Sequence, residues 1–72
     1  MDHKNTIKLP KKFSNVLHEL PETGMGYQIV DVQLKSGKWL NEKPVYNSEI
    51  LVVEDTDSIQ SRDISTIRLH QD

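Results

Sequence analysis

Apolar and polar positions change period once along the chain. Between Pro10 and Pro21, the residues Phe13, Val16, Leu17 and Leu20 fall at i, i+3, i+4 and i+7. That spacing gathers them on one face of an α-helix. A proline at the first helical position lacks a donor the helix would not use, and Pro21 stops the pattern. A helix over about 10–20 is therefore predicted. It is too short to stand alone in water, so its stripe must dock on the rest of the chain.

From Tyr27 onward the period drops to two. Val30, Val32 and Leu34 alternate with Asp31, Gln33 and Lys35, which predicts a strand over about 27–35 with one face on the core. The stretch "KSGK" reads as a hairpin turn, with Gly37 available for a left-handed conformation. If Ser36-Gly37 is a two-residue tip, Leu34 faces Trp39 and the indole lies on the core side. A second strand, about 38–46, contains Pro44, so it needs a bulge or an edge position. "SEILVVED" is a continuous apolar run. It reads as a strand over about 49–54, covered on both faces, or as a guarded edge or an interface. "DTDS" turns the chain. Short strands over about 58–60 and 65–69 follow, with "SRD" as a single helical turn between them.

Two features punctuate this pattern. Residues 1–8, "MDHKNTIK", are polar with one isoleucine and read as a flexible terminus, leaving 9–72 as a single domain. "GMG" at 24–26 follows the helix and precedes a strand. Phosphate-binding loops have the opposite order, strand then helix, so that helical N–H groups meet the anion. These glycines turn the chain, with φ > 0 at Gly24 or Gly26.

Composition favours strands: valine and isoleucine supply 12 of 25 apolar residues, and alanine is absent. A chain of 72 residues without cysteine has no disulfide to support its small core. Self-association then gains weight as a way to bury more apolar surface. No apolar run approaches the length that spans a bilayer, and a cytoplasmic protein is expected. Charge is uneven about a net −2. Lys4, Lys8, Lys11 and Lys12 outweigh Asp2 and Glu19 in the first 20 residues, whereas Glu49, Glu54, Asp55, Asp57 and Asp63 stand against Arg62 alone over 49–63.

One helix followed by about five short strands is the layout of a small barrel. The succession "VDVQLKSGK", a bent second strand, "EILVVED" and "SRDISTIRL" resembles the small Sm-like and Src-homology-3-like barrels over about residues 10–69. The resemblance implies a mainly β fold: a helix leading into five strongly bent strands. Sm-like proteins bind uridine-rich RNA through an Asp and an Asn after the second strand and an Arg-Gly pair near the last. Asn47 in "VYNSE" corresponds, but no Asp precedes it at the expected place. Arg62 is followed by Asp63 rather than glycine, and a carboxylate there repels phosphate.

The candidate nucleic-acid contacts are Lys11, Lys12, Lys35, Lys38, Asn47 and Arg62, with Trp39 and Tyr46 as stacking platforms if exposed. No nucleophile elbow or comparable arrangement occurs, so no catalytic residue is assigned and an enzyme is not expected. No cofactor or metal site is assigned. His18 reads as a solvated helix position. "MDH" with a free amine has the donor set for copper(II) or nickel(II), but any chain with His at position 3 has it. "DTDSIQSRD" lacks the glycine and closing glutamate of a calcium loop. The leading expectation is a non-catalytic protein-interaction or self-associating module, either a homo-oligomer or bound to an unknown protein partner. RNA or single-stranded nucleic-acid binding is the alternative.

Overall fold

A computed structural model of the chain describes residues 4–71. The elements run β1 (Lys4–Lys8), α1 (Lys11–His18), β2 (Tyr27–Leu34), β3 (Trp39–Tyr46), β4 (Ile50–Glu54), two 3₁₀ turns (Asp55–Asp57 and Ser61–Asp63) and β5 (Ile64–Leu69). All pairings are antiparallel, in the order β1-β4-β3-β2-β5. The fold is mainly β with one helix, and the sheet is open, with β1 and β5 at its edges. No helix among the described residues is long and apolar enough to cross a membrane.

One face of the sheet carries the core. Ile7, Val30, Val32, Leu34, Leu40, Val45, Leu51, Val53, Ile64 and Ile67 pack there with Leu9, Phe13 and Leu17 from the helical segment. The helix buries Phe13, Ser14 and Leu17. Val16 does not join them and is 51% exposed, because the docked face is centred on Phe13 and Leu17 and Val16 lies on its flank. Leu20, past the end of the helix, packs against the core from outside.

No glycine closes the helix; Glu19 at its C-cap is right-handed. At this end the Glu19 and Leu20 N–H groups tighten onto Val16 O at 3.2 Å and Leu17 O at 3.0 Å. Gln28, 1% exposed on the core face of β2, adds a side-chain donor. Its Nε2 donates to Leu17 O at 2.8 Å, Leu20 O at 3.2 Å and Pro21 O at 3.3 Å. A single polar side chain in the core thus ties the end of α1 to β2.

Four expectations are corrected. Residues 4–8 are not a flexible terminus: β1 pairs with β4 from Lys4↔Glu54 to Lys8↔Ile50, and residues 1–3 lie outside the described set. No strand forms over 58–60; Ile59 anchors the loop between the 3₁₀ turns against the core. β4 is neither an edge nor covered on both faces. It is hydrogen-bonded between β1 and β3, with Leu51 and Val53 buried and Ile50 and Val52 half-buried on the other side.

The fourth correction concerns the β2–β3 hairpin. Leu34 N–H donates to Lys38 O and Gly37 N–H to Leu34 O, each at 2.8 Å, around a tip of Lys35, Ser36 and Gly37 with Gly37 at φ 97°. A three-residue loop with a left-handed glycine shifts the pairing by one. Trp39 then faces Gln33 on the outer surface and Leu40 faces Val32 in the core. A one-residue slip sends a side chain to the opposite face.

The glycines of "GMG" do turn the chain. Gly26 has φ 79°, and Gly24 lies so close under the Tyr27 ring that a Cβ would stand 2.3 Å from Cε1. The bulge implied by Pro44 lies just before it. Asn41 and Glu42 together oppose Asp31, between the pairs Val32↔Leu40 and Val30↔Lys43. Pro44 itself sits where the β3–β4 ladder, Val45↔Leu51 and Tyr46↔Ile50, has ended.

Candidate interaction surface

The outer face of the sheet divides into an apolar half and an ionic half. In the apolar half, strand alternation turns Tyr27 and Ile29 of β2, Pro44 and Tyr46 of β3, and Ile50 and Val52 of β4 away from the core. The registers Tyr27↔Tyr46, Tyr46↔Ile50 and Lys8↔Ile50 align these residues in a row ending at a lysine. Ile29↔Pro44 and Thr6↔Val52 lie in the next row. Tyr46 is 46% exposed and the other five apolar residues are half-buried. The Tyr27 and Tyr46 rings stand 6.0 Å apart, tilted by 47°, within the favourable range for aromatic pairs. Met25, in the adjacent turn, is 94% exposed. Outward positions of a half-buried sheet are ordinarily polar, and a contiguous apolar patch marks an interaction site.

The ionic half is built on Asp31, whose side chain is only 6% exposed. Its Oδ1 accepts from the Glu42 backbone N–H at 3.1 Å and lies 2.8 Å from His70 Nδ1. Its Oδ2 lies 3.5 Å from Arg68 Nε. An ionised carboxylate can only accept, so His70 Nδ1 carries the proton toward it. Burial alone raises the Asp31 carboxyl, but the Glu42 N–H, then His70 and Arg68, hold it below the usual carboxylate range. Glu42 is at φ 56°, and its amide is the one bound by Asp31, so the carboxylate stabilises the bulge that lets β3 bend. Arg68 covers Asp31 and stacks on Trp39, 4.3 Å from the ring centroid. His70 Nε2 lies 3.5 Å from Glu42 Oε1, and the His70 N–H donates to Ile29 O at 2.8 Å, extending the β2–β5 ladder past Leu69.

This network is a brace for β5 and the β3 bulge. Beside it lies an open groove of about 540 Å³ lined by Leu20, Asp31, Ile67, Arg68, Leu69 and Gln71. Among the described residues, no group of three or more His, Asp or Glu side chains is placed to hold a metal ion. His3 lies outside them. The "DTDSIQSRD" stretch forms the two 3₁₀ turns. There Asp57 accepts the Glu54 N–H at 2.8 Å and pairs with Lys43 at 3.2 Å.

The fold separates the six candidate nucleic-acid residues. Lys11, Lys12 and Asn47 lie at the end of the sheet where α1 docks, with Lys12 Nζ 5.0 Å from the Phe13 ring centroid. Lys35, Lys38 and Arg62 lie at the other end, where Lys35 N–H donates to Asp63 O at 2.9 Å. A strand of eight residues separates the two groups, on the order of 25 Å. Asp57 and Asp63 line the same small groove as Lys35. Trp39, expected in the core, is half-exposed under Arg68.

Sequence reasoning missed Asp31, Arg68 and His70. Their signal was an acidic residue set between two valines in an apolar strand; its partners lie 37 and 39 positions away, where no spacing rule reaches. It also missed the outer row, because Ile50 and Val52 look the same whether a run is covered on one face or two. In comparisons with known proteins, the chain matches no protein-family model, no curated protein and no solved structure.

Proposed function

We propose that the chain is a non-catalytic interaction module of the cytoplasm that self-associates through the outer face of β2, β3 and β4. The observation that supports this most is the row Tyr27–Tyr46–Ile50 with Ile29, Pro44 and Val52 beside it, apolar side chains on the side of the sheet away from the core. A domain of this size gains from burying such a face against a second copy. The row's one charge is Lys8 at its end, so the apolar residues of two copies meet there without like-charge contact. Six partly exposed residues form a small interface, which puts the association in the weak class. The tyrosines, large and stiff, carry most of the contact energy.

The architecture is read in the same way as a small Sm-like or Src-homology-3-like barrel held open between β5 and β1. The β2–β3–β4 meander, the 3₁₀ turn and the return of β5 to β2 support that reading. Nucleic-acid binding ranks second, because the residues it would use are divided between two ends.

The test is chain mass by light scattering across concentration, for the parent and for Tyr46→Lys and Ile50→Lys. Both positions face outward, so the substitutions leave the core intact. The parent is expected to gain mass with concentration and the variants to remain monomeric. A parent that stays monomeric throughout, or variants that associate equally, overturns the proposal.

A further inference from the structure

We propose that the free edge of β1 is a second binding site, which takes an extended segment of another protein, acidic on one side and aliphatic on the other, as an added strand. This inference does not rest on the outer apolar face. The Leu9 N–H donates to Glu49 O at 2.7 Å, which sets the alternation along β1. Ile7 and Asn5 bond toward β4, and the backbone groups of Lys4, Thr6 and Lys8 point away from the sheet. The strand keeps unbroken register over its five residues and contains no proline. The opposite edge differs: β5 has a register shift opposite Gln33/Leu34, and such bulges protect an edge from pairing.

Side chains define what the β1 edge accepts. Lys4, Thr6 and Lys8 stand on the outer face, and Ile7 and Leu9 on the core face. In the antiparallel register that pairs all five residues with a second copy, Lys4 falls opposite Lys8 at both ends. Like charges directly opposed are destabilising, so this edge turns away its own kind. Glutamates at the same positions of a foreign strand would meet both lysines. Lys4 is 3.9 Å from Glu54, with both side chains about half exposed, an ion pair that exchanges readily. Among the described residues, Lys8 forms no ion pair. On the core side, the added strand's alternate residues would lie beside Ile7 and Leu9, which favours aliphatics there. Backbone pairing then supplies affinity and the alternating side chains supply selectivity.

The experiment titrates the isotopically labelled chain with a blocked octapeptide of alternating glutamate and valine, and with its lysine–valine counterpart. The amides of Lys4, Thr6 and Lys8 should shift with the first peptide only, with a preference of about tenfold or more that shrinks as salt is added. The double variant Lys4→Glu, Lys8→Glu should reverse the preference; both sites are exposed, and the same spectra verify its fold. Equal binding of both peptides, shifts at Tyr46, Ile50 and Val52 in place of β1, or no binding of either peptide overturns the inference. None of these outcomes bears on self-association through the outer face, which measurements on the chain without peptide decide.

Discussion

Replacing Gln28 by methionine tests how α1 is held. Methionine matches the length and flexibility of glutamine but donates nothing, so Leu17, Leu20 and Pro21 lose their common donor. The three carbonyls are not equally affected. Leu20 is half-buried and Pro21 exposed, so water replaces Nε2 there. Leu17, fully buried, keeps only the Leu20 N–H at 3.0 Å, so what it loses is one buried hydrogen bond, about 0.5–1.5 kcal/mol. Burying a thioether in place of an amide returns part of this, leaving a net loss of about 0.5–1 kcal/mol. For a domain of this size that lowers Tm by roughly 2–8 °C, against a stability of roughly 4–11 kcal/mol. Thermal and urea unfolding followed by circular dichroism measure it. Gln28→Glu provides the sign control. A carboxylate aimed at carbonyl oxygens has its folded pKa raised, so that variant is most stable in acid and weakens as pH rises through the folded value. A Gln28→Met chain within about 0.3 kcal/mol of the parent would refute the claim that this side chain ties helix to sheet.

Three further outcomes follow from the same geometry. Asp31 has its folded pKa lowered, so its contribution is fully present above the unfolded value near 4 and is lost as pH falls through the folded one; Asp31→Asn should flatten the acid limb of the stability curve and leave the chain weaker at neutral pH. Gly24→Ala should destabilise by about 1–3 kcal/mol in chemical denaturation, since the added methyl meets the Tyr27 ring and must displace it. Asn47 and Ser48 both have positive φ, at 54° and 60°, around the Glu49 N–H to Tyr46 O bond of 3.0 Å. This is a two-residue hairpin turn that favours Asn-Gly, so Ser48→Gly should stabilise by about 0.5 kcal/mol, and a loss of stability would show that the 3.5 Å contact of Ser48 Oγ with Gln28 Oε1 outweighs backbone strain.

The parts legible in the sequence were those carried by period. Phe13 and Leu17 at helical spacing, and Val30, Val32 and Leu34 at strand spacing, place α1 and β2 within a residue or two of where they form. β1 was not legible because "KNTIK" has one apolar residue, and an edge strand rich in lysine has the composition of a loose terminus. The Trp39 error came from counting the tip of one turn as two residues, after which every side chain beyond it changed face until the bulge at Glu42. Pro44 pointed to a bulge or an edge position, and the spacing favours the bulge: Leu40 and Val45 are both apolar and an odd number of residues apart, so no regular strand can bury both. The site was less legible than the fold. Asp31 needs Arg68 and His70, and the outer row needs the registers of three strands, and neither relation exists until the sheet is assembled.

The most direct measurement is a methyl spectrum of the labelled chain recorded over a wide range of concentration. Self-association through the outer face predicts that the methyl signals of Ile29, Ile50 and Val52 shift together as concentration rises, while those of Val30, Leu51 and Ile64, sealed in the core, stay in place. Outer methyls that hold still at every concentration, or a response centred on the core set, would contradict the account.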